Sequence, residues 1–253
     1  MRSNQVVFAL ALASVGIAAH ADDSWTPYVG IGGGVQYLDQ NTSINGTVPE
    51  YVGQQRDYPV YFYNHHSGGV LNAYAGLGRF TNKVYTAFEF DIYYNPANYT
   101  SSTAVTYAPF SQIHNTQTMT ASMPWRFGFS GIMGYQATQK WLPYARLGAE
   151  IGHLQTGYNS VSSDPNDPIP TFVQQNFSQN LLGGTIGIGS RYYLAPHFFV
   201  AIEGDYTRYL NANDQKASMT ILNNGQIFYH SQPYNYQFQT SIYSLIASMG
   251  YQF

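Results

Sequence analysis

The sequence predicts an all-β protein, a closed eight-stranded antiparallel up-and-down transmembrane β-barrel. Three observations carry that reading. Charged residues are only 9% of the 253 residues, against about 25% in an ordinary soluble domain. Mean hydropathy is nevertheless −0.24, and beyond the N-terminus no apolar run approaches the roughly 18 residues that read as a membrane-crossing helix. Last, eight segments alternate apolar with small or polar residues at period two, and the links joining them are short and long by turns.

The missing charge is replaced by 24 Tyr, 15 Phe, 3 Trp and 24 Gly. Ten basic against thirteen acidic residues give a net charge of −3 and no basic stripe, which excludes nucleic acid as a partner. The absence of cysteine excludes disulfides, thiolate metal sites and a cysteine nucleophile.

Residues 1–21 read as a secretory signal peptide. Arg2 supplies the positive start, Val6–Ala19 the apolar stretch, and Ala19-His20-Ala21 the small residues of a cleavage site before Asp22. Residues 22–253 then form one barrel domain destined for the outer membrane.

The strands follow in order. Tyr28–Leu38 sets Val29, Ile31, Val35 and Tyr37 against Gly30, Gly32, Gly34 and Gln36. Val70–Phe80 is periodic, but its glycines leave the outward face open. Val84–Tyr94 sets Phe88, Phe90 and Ile92 against Ala87, Glu89 and Asp91. Trp125–Tyr135 sets Phe127, Phe129 and Met133 against Arg126, Gly128 and Ser130. Pro143–His153 sets Leu147, Ala149 and Ile151 against Arg146, Gly148 and Glu150. Leu182–Leu194 sets Leu182, Ile186, Ile188 and Tyr192 against Thr185, Gly187, Gly189 and Arg191. Phe198–Leu210 sets Phe198, Val200 and Ile202 against Glu203 and Asp205, and Ser241–Phe253 sets Leu245, Met249, Tyr251 and Phe253 against Ser244, Ser248 and Gly250. The apolar parity faces lipid and the other faces the lumen.

Three links are turn-like: Thr81-Asn82-Lys83, Gln136–Lys140 and Ala195-Pro196-His197. They alternate with long links over about 39–69, 95–122, 157–179 and 211–240. That predicts three short periplasmic turns and four long extracellular loops. A soluble sandwich would carry connections of similar length at both ends and more lysine on its polar faces.

The lumen then holds five acids, Glu89, Asp91, Glu150, Glu203 and Asp205, with Arg126, Arg146 and Arg191. An eight-stranded lumen is just wide enough for side chains to fill it. An unpaired ion there costs several kcal/mol, so a paired network is expected rather than a proton or ion path. Trp25, Trp125, Tyr135 and Trp141 are placed for the aromatic girdles at the two membrane interfaces.

Candidate chemistry is sparse. His65-His66 with Ser67, His153 and His230-Ser231 show no spacing that builds a triad, so no catalytic residue is expected. Asp164-Pro165-Asn166-Asp167-Pro168 reads as a proline-rigidified turn rather than a calcium loop, so neither metal nor cofactor is expected. Glycines within strands make room for facing aromatics. Segment 95–122 has no charged residue and is dense in Asn, Thr, Ser, Tyr and Gln, a composition shared with antibody recognition loops.

The terminal Phe253 with Tyr251, Met249 and Leu245 at alternating places, the glycine-rich first strand, and the Glu89-x-Asp91 and Glu203-x-Asp205 strands carry a resemblance. The chain resembles the small eight-stranded outer-membrane barrels of Gram-negative bacteria, the OmpA-transmembrane-domain, OmpX and opacity-type families. That resemblance implies a C-terminal signal at Leu245, Met249, Tyr251 and Phe253 read by the barrel-assembly machinery, and salt bridges inside the barrel. The expected function is structural or adhesin-like. Its partners would be outer-membrane lipid and lipopolysaccharide, the assembly machinery during insertion, and host or cell-surface ligands at the loops. The alternatives are a narrow ion channel and a lipid A-modifying enzyme.

Overall fold

The computed structural model describes residues 24–45, 47–49, 55–57, 60–106, 114–164, 167–221 and 227–253. The signal peptide and its cleavage site lie outside these residues.

The strands are β1 (Thr26–Asn45), β2 (Thr47–Pro49), β3 (Gln55–Asp57), β4 (Val60–Thr81), β5 (Val84–Tyr94), β6 (Tyr99–Thr106) and β7 (His114–Ser122). They continue with β8 (Trp125–Tyr135), β9 (Trp141–Asp164), β10 (Asp167–Ala195), β11 (Phe198–Tyr209), β12 (Ala212–Ile221) and β13 (Ile227–Gln252). Eight of them form an antiparallel ring in the order β1, β4, β5, β8, β9, β10, β11, β13, and β13 pairs back onto β1 from Tyr28↔Gln252 to Asn45↔Asn235. Closure pairs the strands around the ring through the span where all eight run side by side, which leaves no sheet edge open to lipid there.

Toward the short-turn end the outward parity is apolar: Ile31, Phe129, Leu147, Ile186, Ile188 and Met249 are all exposed on the wall, as expected of side chains that face lipid. Strand β4, ambiguous in sequence, turns Leu71 and Leu77 outward and Val70, Asn72 and Tyr74 inward.

Strand lengths differ from the sequence expectation. β5, β8 and β11 are 11 or 12 residues long, near the roughly 9–11 needed to cross the bilayer. β9, β10 and β13 run for 24, 29 and 26 residues. Most of what reads as long loop is therefore strand rising above the membrane. The reason is local: these segments are rich in Thr, Val and Tyr, which suit a pleated surface, and each finds a partner. Where β8 ends, β7 takes over pairing with β9, from Ser122↔Gln155 to His114↔Ser163. Where β11 ends, β12 takes over pairing with β13.

The short turns are tight. Between the paired residues Thr81 and Val84 only Asn82 and Lys83 intervene, and Asn82 has φ 57°. Asn tolerates this left-handed conformation, whereas a β-branched residue pays about 1–2 kcal/mol. Asn82→Val should thus lower the urea midpoint of the folded barrel, and Asn82→Gly should not.

Inside, the lumen is layered. Tyr28, Tyr74, Tyr85, Ile132, Leu142 and Phe199 pack at the short-turn end. A charged layer follows. Above it, Leu38, Phe62, Met119, Leu154, Phe177 and Phe238 fill the raised part of the barrel with a second apolar cluster. Leu38, Leu154 and Leu181 lie on the inward parity, so the polar-in rule reverses in the raised wall. There the wall has water rather than lipid outside, and the enclosed apolar side chains form an ordinary core.

Candidate functional site

The charged layer is built by neighbouring strands at one height. Register places Glu89 of β5 opposite Ser130, and Glu150 of β9 opposite Gly128 of β8. Small partners leave room for long charged side chains to reach across the lumen. All eight sequence-predicted residues point inward, and Glu89, Asp91, Arg126, Arg146, Glu150 and Arg191 are each at most 3% exposed.

Two units form. In the first, Arg126 donates through Nη1 to both Glu150 oxygens at 3.0 and 3.2 Å, and through Nη2 to Gln36 Oε1 at 3.0 Å. Its guanidinium lies 4.4 Å from the centre of the Tyr93 ring, and the Tyr209 hydroxyl donates to Glu150. In the second, Arg146 bridges three acids: Glu203 at 2.7 Å, Glu89 at 3.4 Å, and Asp91. Arg191 adds an ion pair to Glu89 at 2.8 Å and donates to Tyr85 at 2.8 Å. The hydroxyls of Tyr28 and Tyr144 donate to Glu89 and Glu203, each at 2.8 Å. Asp205 lines the same lumen beside Glu203 but takes no part in an ion pair among the described residues.

Such buried pairs hold only because each charge keeps several partners. The tyrosines Tyr28, Tyr85, Tyr144 and Tyr209, with Gln36, are members that the charge pattern alone does not reveal. Their signal in sequence is an inward tyrosine facing a glycine: Tyr28 pairs with Gly76 and Tyr144 with Gly189. A Cβ on Gly189 would lie 2.4 Å from Tyr144 Cζ, so the ring occupies the space the glycine vacates. A void of about 10 Å³ lies in this layer among the described residues, lined by Glu89, Asp91, Glu203, Tyr74 and Arg191. That is room for about one water.

The outer wall carries aromatics at both ends. Trp25, Tyr135 and Trp141 are exposed near the short turns, and Trp141 Nε1 donates to Ser190 at 2.6 Å. Trp125 is exposed at the opposite end, 4.6 Å from the Tyr94 ring. On the far side an aromatic row runs Tyr63, His65, Tyr37, Tyr243, Tyr206 across β4, β1, β13 and β11. His65 lies 3.1 Å from Asp39 and His66 stacks on Tyr99 at 5.2 Å, so this pair of histidines is held within the wall's own contacts. At the C-terminus Leu245, Met249 and Phe253 are exposed on the lipid side, and Tyr251 packs edge-on to Phe198 at 5.0 Å. Among the described residues no group of three or more His, Asp or Glu is placed to hold a metal ion. The Asp164–Pro168 turn includes residues outside the described set.

Solved structures with a similar course of chain are outer-membrane proteins. Ail, the attachment invasion locus protein of Yersinia pestis, solved with the heparin analogue sucrose octasulfate, is 12% identical, with 91% of this chain and 99% of Ail covered and a TM-score of 0.37. The outer-membrane protease OmpT of Escherichia coli is 13% identical, with coverage of 91% and 98% and a TM-score of 0.42. OprG of Pseudomonas aeruginosa is 12% identical, with coverage of 92% and 99% and a TM-score of 0.41. No curated protein sequence matches the chain. The sequence model of the family described as outer membrane protein beta-barrel domain matches residues 7–253, nearly the whole chain, and the protein belongs to that family.

Proposed function

We propose that this outer-membrane barrel is a stable platform that presents a raised polar wall, rich in tyrosine and side-chain amides, for surface contact, in the manner of an adhesin. The observation that carries this reading is the continuation of β9, β10 and β13 to 24, 29 and 26 residues above a filled lumen. A chain selected only to sit in lipid needs less than half that strand length. The outward parity of the raised wall bears Tyr61, Tyr63, Gln155, Asn159, Gln174 and Asn176, all exposed. Tyrosine gives rigid amphipathic contact there, and the amides give adaptable hydrogen bonds. A rigid wall loses little conformational entropy when a ligand docks.

The ion-channel alternative is weakened by the paired lumen and the apolar cluster above it. Outer-membrane lipid and lipopolysaccharide are the surroundings of the barrel. The exposed Leu245, Met249 and Phe253 are the segment we assign to the barrel-assembly machinery during insertion.

The test replaces residues 103–116 by a short Gly/Ser linker and introduces Tyr61→Ser with Tyr63→Ser. Tyr99 and Met119 of the internal core stay in place. Heat-dependent gel migration should be unchanged, and attachment of expressing cells to host cells or matrix should fall several-fold. Equal attachment would remove the adhesin reading.

A further inference from the structure

We propose that Ser178, His153 and Asn180 form a hydrolytic site for acyl esters of outer-leaflet lipids on the lipid-facing wall of the barrel. The three residues come together through strand register alone. β9 and β10 pair so that His153 stands opposite Asn180 and Gln155 opposite Ser178, all on the outward parity. Ser178 Oγ lies 3.1 Å from His153 Nε2, and His153 Nδ1 lies 2.8 Å from Asn180 Oδ1. The amide oxygen accepts from Nδ1–H, and the neutral imidazole in that tautomer presents Nε2 as the acceptor for the serine proton. This is the order of roles required of a nucleophile, a base and an orienting group, with both links inside hydrogen-bond range.

The surroundings select the substrate. One step along each strand toward the short turns, Ile151 and Leu182 are exposed on the same face and begin the apolar band, followed by Leu147 and Ile186. One step the other way, Gln155 and Asn176 are polar and exposed. The triad therefore sits at the boundary where a lipid's acyl chains give way to its head group, the depth of its ester bonds. Exposed Trp125, on neighbouring β8, marks the same boundary as an interfacial aromatic.

Two groups are assigned as oxyanion donors. Gln155 stands opposite Ser178 in the strand register, and its side-chain amide is the first. The β10–β11 register begins at Gly183, and β10 pairs with β12 only at Phe172 and Val173 among the described residues. The Leu182 carbonyl accepts from Leu210 N–H at 2.8 Å on that edge. Ser178, an even number of residues away, directs its own N–H to the same edge, where the ladder is interrupted.

The reaction is ester plus water giving alcohol plus fatty acid. Ser178 Oγ adds to the ester carbonyl carbon while its proton passes to His153 Nε2. Collapse of the tetrahedral intermediate breaks the carbonyl carbon–alkoxy oxygen bond, and the leaving alcohol takes the proton from Nε2. Water then attacks the acyl-serine with His153 again accepting the proton, which returns to Ser178 Oγ as the fatty acid leaves. Glycerophospholipids and the acylated glucosamine lipid of lipopolysaccharide both supply such esters.

The test uses the full chain refolded in detergent, with heat-dependent gel migration as the control for folding. Released fatty acid is measured on phosphatidylethanolamine mixed micelles and, separately, on purified lipopolysaccharide. A fluorophosphonate probe, mapped by mass spectrometry, reports serine reactivity. The expected result is release from at least one substrate, falling about a hundred-fold or more in Ser178→Ala and His153→Ala and less in Asn180→Ala, with probe on Ser178 that both His153→Ala and Ser178→Ala abolish. Release from phosphatidylethanolamine names the phospholipid as a substrate, and release from lipopolysaccharide names its acylated glucosamine lipid. Folded wild-type protein that neither releases fatty acid nor takes the probe at Ser178 would overturn the proposal, as would release unchanged in Ser178→Ala.

Discussion

Replacing Arg146 with methionine should destabilise the folded barrel by about 3–5 kcal/mol, the range for removing one partner of a buried ion pair. Arg146 lies 2.7 Å from Glu203 and 3.4 Å from Glu89, and it also pairs with Asp91. Methionine fills much of the space but leaves these carboxylates to Arg191, which reaches Glu89 at 2.8 Å and forms no other ion pair among the described residues. Arg146→Lys keeps the charge and loses the planar fork that serves several oxygens together, so it should fall between the two. The measurement is the urea midpoint of the barrel in lipid vesicles, followed by the fraction that keeps its folded gel mobility. Arg126→Met breaks a separate unit centred on Glu150. The two arginines share Tyr93 as a neighbour, so the costs of Arg126→Met and Arg146→Met should depart from additivity by about 0.5–3 kcal/mol. A midpoint unmoved by Arg146→Met would mean that water enters the layer and replaces the guanidinium.

The strands, and the facing of all but β4, were legible in the sequence because a membrane enforces strict alternation. Phe88 and Phe90 had to be outside and Glu89 and Asp91 inside, and they are. Legibility stops where the membrane stops. Above it, water contacts the outer wall, so polar residues such as Asn159 and Gln174 can face outward while Leu38 and Leu154 face in. The alternation persists with its sense inverted, and the mixture reads as loop. The apolar cluster around Phe177, Tyr236 and Phe238 was hidden for that reason. The same limit explains the outer-wall triad. His153 and Ser178 are 25 positions apart, and nothing in either segment says which residues of β9 and β10 stand side by side. A shift of the register by two residues would keep every face and separate them. Composition and parity fix faces, whereas chemistry between strands depends on register. The acids and arginines escaped this limit because they are long enough to find one another across a narrow lumen under any nearby register.

Interior glycines carry the second large effect. Phe199 of β11 stands opposite Gly250 of β13, and a Cβ on Gly250 would lie 2.2 Å from the Phe199 ring. That contact is shorter than any real carbon–carbon approach, and the ring is hemmed in by Tyr28 at 6.2 Å, Tyr193 at 5.8 Å and the Arg191 guanidinium at 4.9 Å. Gly250→Val should therefore cost about 1–3 kcal/mol or more through overpacking, seen as a lower urea midpoint. Phe199→Ala alone should cost about 3–5 kcal/mol by leaving a cavity. The two losses have opposite causes, one too much volume and the other too little, so they should not add. Combined, Gly250→Val with Phe199→Ala should be more stable than the sum of the single changes predicts, by about 0.5–3 kcal/mol, the coupling expected of residues in contact. Simple additivity would show instead that Gly250 is required by the β13 backbone, and that its value does not lie in the space it cedes to Phe199.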